Sequence, residues 1–439
     1  MIAGTIMIAA LLLKYCYIFN FMAYRDSLKG DMAEYWFDSV RLAFSSQVYL
    51  TQWGGFAPFY KYFFLVPLLH WLNSVGSISS SIYFIVLSNI ILYSLSSCVF
   101  YLMAERMIVN KILSLTALIF FSFSYLAVCV NALLLPDTLA ISLTVMATGI
   151  IVLQVNRVSC FLGGLLLGIA VAAKPFLFVF SPVFIWYILS KSGKKDLAWK
   201  VIVFTVAMVI VPLLTVREND LISHGKLKSL AAIGGSNFYQ GWGKVGRIKT
   251  FSTEGKDSRY SPGALDEPKW GEITVYEPWY HQGYFYQLGL RSIVQDPGVL
   301  LEKLLWFKKL FWGVLGPSLR KNPPGFYKII PFVENTSYLM FLSLGGLWIF
   351  NRRKACSIDV HMIFFLMAAF FMAIYAFGLP ERRYFLNIEY LVILLFFVLV
   401  NRMLALYKVY QKEIFIYSFV VLTFFICVPL TLEQAGKFF

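Results

Sequence analysis

Four short groups of residues in this chain have the types and spacing for acid–base chemistry and phosphate binding. In "GDMAEYW" and the residues after it, Asp31, Glu34, Tyr35 and Asp38 recur at i, i+3, i+4 and i+7, so a helix sets them on one face. A carboxylate there suits a general base acting on a hydroxyl. Plain capping accounts for them too: Asp31 as N-cap, Glu34 closing a capping box and Asp38 paired with Arg41. The second group, Leu135-Pro136-Asp137, sits in a short turn between two apolar runs. Its acid is either an ordinary N-cap or an acid held at a surface. The third, Lys174-Pro175, ends the Gly-rich run "GGLLLGIAVAAKP" with no acid beside it in the sequence. Such a lysine snorkels to water or meets an anion such as a phosphate. The fourth is Glu381-Arg382-Arg383-Tyr384, whose adjacent arginines match phosphate oxygens two by two. The plain alternative there is a surface pair with Glu381.

Other chemistries lack their residues. There is no Walker loop, no dinucleotide fingerprint ahead of a strand pattern and no GxSxG. His70, His224, His281 and His361 are scattered, and the six cysteines lie in or beside apolar runs without a CxxC pair. A side-chain zinc site or a disulfide framework is not expected, and the chemistry requires no cofactor, although a divalent metal is compatible with it.

The elements that must position these groups are membrane helices. The chain is 59% hydrophobic and 14% charged, with mean hydropathy +0.71, against about 25% charge in a soluble domain. The net charge of +15 comes from short basic clusters between apolar runs, the pattern of cytoplasmic loops and lipid contacts, so nucleic acid is not expected as a partner. Taking about 20 apolar residues per span, helices are predicted near 2–23, 80–103, 112–131, 138–155, 159–173, 176–190, 200–216, 333–350, 360–378, 385–401 and 413–431. The first lacks a cleavage signal and reads as a retained span.

Whether 56–73, "FAPFYKYFFLVPLLHWLN", crosses the membrane decides everything downstream. If it stays on one side, Arg106/Lys111, Arg157, Lys191/Lys194/Lys195/Lys200, Arg352/Arg353/Lys354 and Arg402/Lys408/Lys412 all face the cytoplasm. It is therefore read as re-entrant or interfacial. The acids after helix one, Asp137, Lys174, the loop from Arg217 and "PERRY" then share the outer face. Within 217–332, a polar, turn-rich front half is expected to form a compact subdomain. Its back half, with Trp306, Lys308, Lys309 and Trp312, is expected to lie in the interface. Three regions follow: 1–216, an N-terminal transmembrane module whose catalytic first outer loop is 24–79; 217–332, the extracytoplasmic loop; and 333–439, the C-terminal helices.

In this order the motifs resemble the GT-C glycosyltransferases, close to the protein O-mannosyltransferase and aminoarabinose-transferase superfamily. The resemblance rests on "GDMAEYW", "APFYKYFFLVPLLHWL", "LLLPDTLA", the Gly-rich helix ending in Lys-Pro, "RENDLISHG…GGSNFYQGWG" and "RRYFLNIEYLVILL". The sequence lacks the paired prolines often found near 57–60 and those that often follow Arg-Tyr. The resemblance implies an all-α polytopic GT-C fold of roughly eleven transmembrane helices, with re-entrant or interfacial helices in the first outer loop and one large extracytoplasmic loop. It implies transfer of a sugar from a polyprenyl-phosphate carrier to a glycan, lipid or protein hydroxyl, with inversion. Asp31 then maps to the catalytic base, with Glu34 as alternative. Arg382, Arg383 and Lys174 map to the lipid phosphate, and Asp137, Tyr35 and Tyr384 to the acceptor or supporting positions. A bacterial inner membrane with a periplasmic site is the expected setting, an endoplasmic reticulum with a luminal site the alternative. Two rival functions share the hydropathy profile. An O-antigen polymerase or ligase leans on outer-loop arginines, and a lipid-linked oligosaccharide flippase or transporter calls for charges buried mid-span and internal repeats.

Overall fold

The computed structural model of the chain describes residues 2–21, 31–44, 58–76, 80–193, 196–222, 229–230, 238–239, 241–242, 282–298, 300–301, 357–377 and 382–406. Every regular element among them is helical. In order these are α1 (Ile2–Phe21), α2 (Asp31–Phe44), α3 (Pro58–Tyr60), a π turn (Lys61–Leu65), α4 (Val66–Ser74), α5 (Ser81–Met107), α6 (Lys111–Ser122) and α7 (Tyr125–Asn131). There follow α8 (Asp137–Leu153), α9 (Arg157–Ala173), a 3-10 segment (Pro175–Phe180), α10 (Ser181–Lys191), α11 (Leu197–Ile222), α12 (Gln282–Gln295), α13 (Ile358–Phe377) and α14 (Arg382–Leu406). Within α1, α5, α11 and α14 lie 4 stretches long and apolar enough to cross a membrane. The α14 stretch is buried nearly all round and forms the centre of the bundle, whereas those of α1 and α11 expose most of their apolar surface.

Three boundaries depart from the sequence reading. The run 112–131 is two helices, because Ser124 accepts a hydrogen bond from the Ala127 amide at 3.0 Å and starts a new helix there. α11 continues through Arg217 to Ile222, so the boundary at 216/217 falls inside a helix. α12 lies within the region read as a turn-rich subdomain and a basic interfacial segment. The predicted helices 333–350 and 413–431 fall outside the described residues.

Loop contacts sort the helix ends into two groups. At one end, Arg106 donates to the Leu153 carbonyl, Arg157 pairs with Asp196 at 2.6 Å, Lys191 with Asp359 at 3.3 Å, and the Asn110 amide donates to Asn401 Oδ1 at 3.3 Å. At the other end, Asn89 Nδ2 donates to the carbonyls of Asn131 and Leu133, and Tyr15 bonds Tyr83 at 3.0 Å. The segment from α3 to α4 touches this second end at both of its own ends. Tyr60 lies near Asp137, and Trp71 meets Phe84 edge-on at 6.3 Å. It therefore runs along that end of the bundle.

Two glycines set the tightest helix pair. A Cβ on Gly164 would stand 2.4 Å from the Phe204 carbonyl oxygen, and one on Gly168 would stand 2.3 Å from that of Met208. The GLLLG spacing thus brings the α9 backbone directly against α11. Gly163 faces the other way, onto Ile151 of α8.

Candidate active site

The site begins with a helical hairpin of equal arms. α8 and α9 each have 17 residues, joined by a three-residue turn, so the first residue of α8 and the residue after α9 meet at the same end. Those residues are Asp137 and Lys174, and Lys174 Nζ stands 3.1 Å from Asp137 Oδ2. The side chains are 0% and 12% exposed. The helix cap is Pro136, not Asp137, which occupies the first helical position without bonding a backbone amide through its side chain. Its charge is held by Lys174 and by the positive end of α8. The acid that the sequence around Lys174 lacks is supplied by the fold.

α14 begins at this end and adds the aromatic and basic members. Lys174 Nζ is 5.2 Å from the centroid of the Tyr384 ring, Arg383 Cζ is 5.5 Å from it, and Phe176 packs at 5.4 Å. Both cations are within the range where a ring face attracts them. Tyr384 therefore stands between Lys174 and Arg383, which are partly buried like the ring itself. Asp137 is wholly buried, whereas Lys174, Tyr384 and Arg383 are partly buried, so the cluster has a closed acidic floor and a more open cationic side.

The first-loop helices cover the floor. Asp38 of α2 forms a buried salt bridge with Lys61 of the π turn at 3.2 Å, where the sequence reading had paired it with Arg41. That pair ties α2 to the segment carrying Tyr60. Tyr60 is wholly buried, meets Tyr35 edge-on at 6.1 Å and stacks on Phe64 at 5.3 Å. Burial, then the Asp137 carboxylate, holds the Tyr60 hydroxyl protonated far above the usual tyrosine range. Tyr62 is raised as well, by burial first and then by Asp38 and Glu218. Under the floor, Thr138 donates to Asn131 Oδ1 at 3.0 Å.

The fold thus brings together Asp137, Lys174, Arg383 and Tyr384, with Tyr35 one residue contact away through Tyr60. Asp31 and Glu34 lie on α2, and Arg382 starts α14; their side chains, and Glu381, lie outside what is described. Sequence reasoning passed over Tyr60, and took Lys61 only as a charge that makes the apolar run 56–73 ambiguous as a span. It also passed over Glu389, fully buried within the α14 span. Lys14 lies 3.9 Å from the Tyr93 ring centroid and is 2% exposed. In the long loop, Phe238 packs with Trp242 at 6.2 Å and with Tyr286 of α12 at 5.3 Å. Trp270, Trp279, Tyr280, Trp306, Lys308, Lys309 and Trp312 lie outside the described residues. Among the described residues no group of three His, Cys, Asp or Glu gathers as a metal site.

No protein-family model and no curated protein matches the sequence. Among solved structures, the chain is similar to the apo oligosaccharyltransferase of Archaeoglobus fulgidus, at 13% identity over 94% of this chain and 52% of that one, with a TM-score of 0.49. A second is the archaeal oligosaccharyltransferase AglB from the same organism in complex with an inhibitory peptide and a dolichol-phosphate, at 14% identity, 94% and 52% coverage and a TM-score of 0.44. The oligosaccharyltransferase complex with Zn and sulfate matches at 14% identity, 93% and 52% coverage and a TM-score of 0.43. The chain spans about half the length of these relatives.

Proposed function

We propose that this chain is an integral membrane glycosyltransferase of the GT-C type, moving a sugar from a polyprenyl-phosphate donor to a hydroxyl acceptor at the outer membrane face. The observation that carries the reading is the cluster of Asp137, Lys174, Tyr384 and Arg383, gathered at one end of a bundle of membrane-length helices beneath α2. A lipid phosphate needs cations at the depth where headgroup meets hydrocarbon, and Lys174 just after α9 and Arg383 in the first turn of α14 suit that need.

The step is a displacement at the anomeric carbon. The acceptor oxygen forms the new bond, the bond from carbon to phosphate oxygen breaks, and the electron pair leaves with the phosphate. Asp31, or Glu34 in its place, takes the acceptor proton as general base. Arg383, Arg382 and Lys174 meet the charge growing on the leaving phosphate. Asp137 supports Lys174 from beneath. The acceptor is a glycan, lipid or protein, with a surface polysaccharide or lipid-linked glycan favoured. The setting is a bacterial inner membrane with the site on the periplasmic side.

Purified protein supplied with a panel of polyprenyl-phosphate sugars tests this by release of free polyprenyl phosphate. Asp31→Asn is expected to lower turnover about 100-fold or more, the scale of a lost general base. Full activity of that variant sinks the assignment of Asp31; turnover of no donor sinks the function. Lys14 and Glu389, both buried within spans among the described residues, are a feature that a flippase or transporter also calls for. Movement of a labelled lipid-linked glycan across liposomes, without phosphate release, would establish that reading instead.

A further inference from the structure

Two polar atoms beneath the first-loop helices lack partners. Asp137 Oδ1 and the Tyr60 hydroxyl are each buried, and neither has a hydrogen-bond partner among the described residues. The Lys174 ammonium lies against the other carboxylate oxygen. A buried polar group left unpaired costs about 1–3 kcal/mol, so two of them on facing elements call for an explanation. α3, which carries Tyr60, packs against α9, and Lys174, the residue after α9, stands 3.1 Å from Asp137, so both groups belong to one floor. One is an acceptor and the other, held protonated, can donate or accept. A ligand with neighbouring hydroxyls satisfies both.

We infer that Tyr60 and Asp137 form a polyol subsite that holds hydroxyls of a sugar ring, one donating to Asp137 Oδ1 and another bonding the Tyr60 hydroxyl. The inference rests on the proposed glycosyl transfer for its orientation. The phosphate sits on the more open side at Lys174 and Arg383, and the sugar attached to it extends inward to the floor. Entry requires α3 to lift from the cluster, and the Asp38–Lys61 bridge moves α2 with it. Tyr60 is thereby a specificity residue for the sugar, and the lipid carrier does not depend on it.

Tyr60→Phe separates this role from a structural one, since it removes a hydroxyl that has no hydrogen-bond partner among the described residues. The full chain in nanodiscs is titrated with bare undecaprenyl phosphate, with the sugar-bearing lipid phosphates, and with methyl glycosides at millimolar concentration. Thermal unfolding is followed in parallel. Tyr60→Phe should leave the apo unfolding temperature unchanged or raised and the affinity for undecaprenyl phosphate within twofold. Affinity for the sugar-bearing ligand should fall about 10-fold, the scale of one lost hydrogen bond to a buried polar group. Asp137→Asn, which keeps the shape, should also weaken the methyl glycosides, whose binding does not involve the phosphate site at Lys174. A lower apo unfolding temperature for Tyr60→Phe, or equal affinity of both variants and wild type for every sugar, overturns the subsite. Failure of wild type to bind undecaprenyl phosphate sinks the donor reading alone, because the methyl glycosides still test the floor without a lipid.

Discussion

Asp137 and Lys174 illustrate how a residue acquires meaning only from its opposite number. Each had a bland reading in isolation, a cap and a snorkelling lysine, and the 3.1 Å pairing replaces both. Removing one partner of a buried pair strands the other charge, at about 3–5 kcal/mol. Lys174→Met, which leaves the wholly buried Asp137 uncompensated, is expected to lower the unfolding temperature in detergent by several degrees. Asp137→Asn should cost less, since Lys174 is 12% exposed and its ammonium can turn towards water. The reverse ranking in a thermal-unfolding assay would mean that Asp137 does not carry a charge. Arg383→Lys retains the charge but loses the planar fork, so it is expected to lower turnover about 10-fold with little change in stability. Comparison of kcat and the unfolding temperature of purified variants checks this. The acids of α2, Tyr384 and the two arginines were legible as types and spacing. Tyr60 was not, because an aromatic in an aromatic run carries no mark until its hydroxyl is seen buried with no partner among the described residues.

At the scale of elements, the glycine spacing of α9 was legible and its consequence was not. GLLLG announces close approach; only the fold shows that α11 is the partner and that backbone carbonyls at Phe204 and Met208 fill the space. No flexible side-chain end stands there to give way. Gly168→Leu is therefore expected to destabilise the protein by about 1–3 kcal/mol or more through overpacking. By tilting α9 it should also displace Lys174, lowering turnover more than the stability loss explains. Gly193→Leu, at a position with open space around it, serves as the control and should be neutral in both assays. Hydropathy found the apolar runs but not the break between α6 and α7, since a serine cap changes hydrogen bonding without changing mean hydropathy. It also stopped α11 at Val216, because polar residues can extend a helix beyond its apolar stretch.

For the molecule as a whole, the basic clusters and the candidate site occupy opposite ends. Arg106, Arg157, Lys191 and Asp196 make their contacts at one end, Asp137, Lys174 and Arg383 at the other. In a cysteine-free background, a single cysteine at Val109, which is 89% exposed, should label only from the cytoplasmic side. One at Val75, which is 53% exposed, should label only from the outside. Reversal of the two, with Val75 labelling from the cytoplasmic side and Val109 from the outside, would place the α3–α4 segment across the membrane and dismantle the proposed outer site. By itself the sequence determined that this chain lives in a membrane, where the apolar runs fall, which ends carry positive charge and which residue types are available for acid–base and phosphate chemistry. Those follow from local composition and spacing, because transfer of a segment into lipid depends on its own residues. Only the tertiary structure decided that Asp137 meets Lys174, that Asp38 meets Lys61 and that Tyr60 closes the floor. Each pairing joins helices separated in sequence, and burial, which sets the value of a charge or a hydroxyl, is a property of neighbours that no single stretch contains.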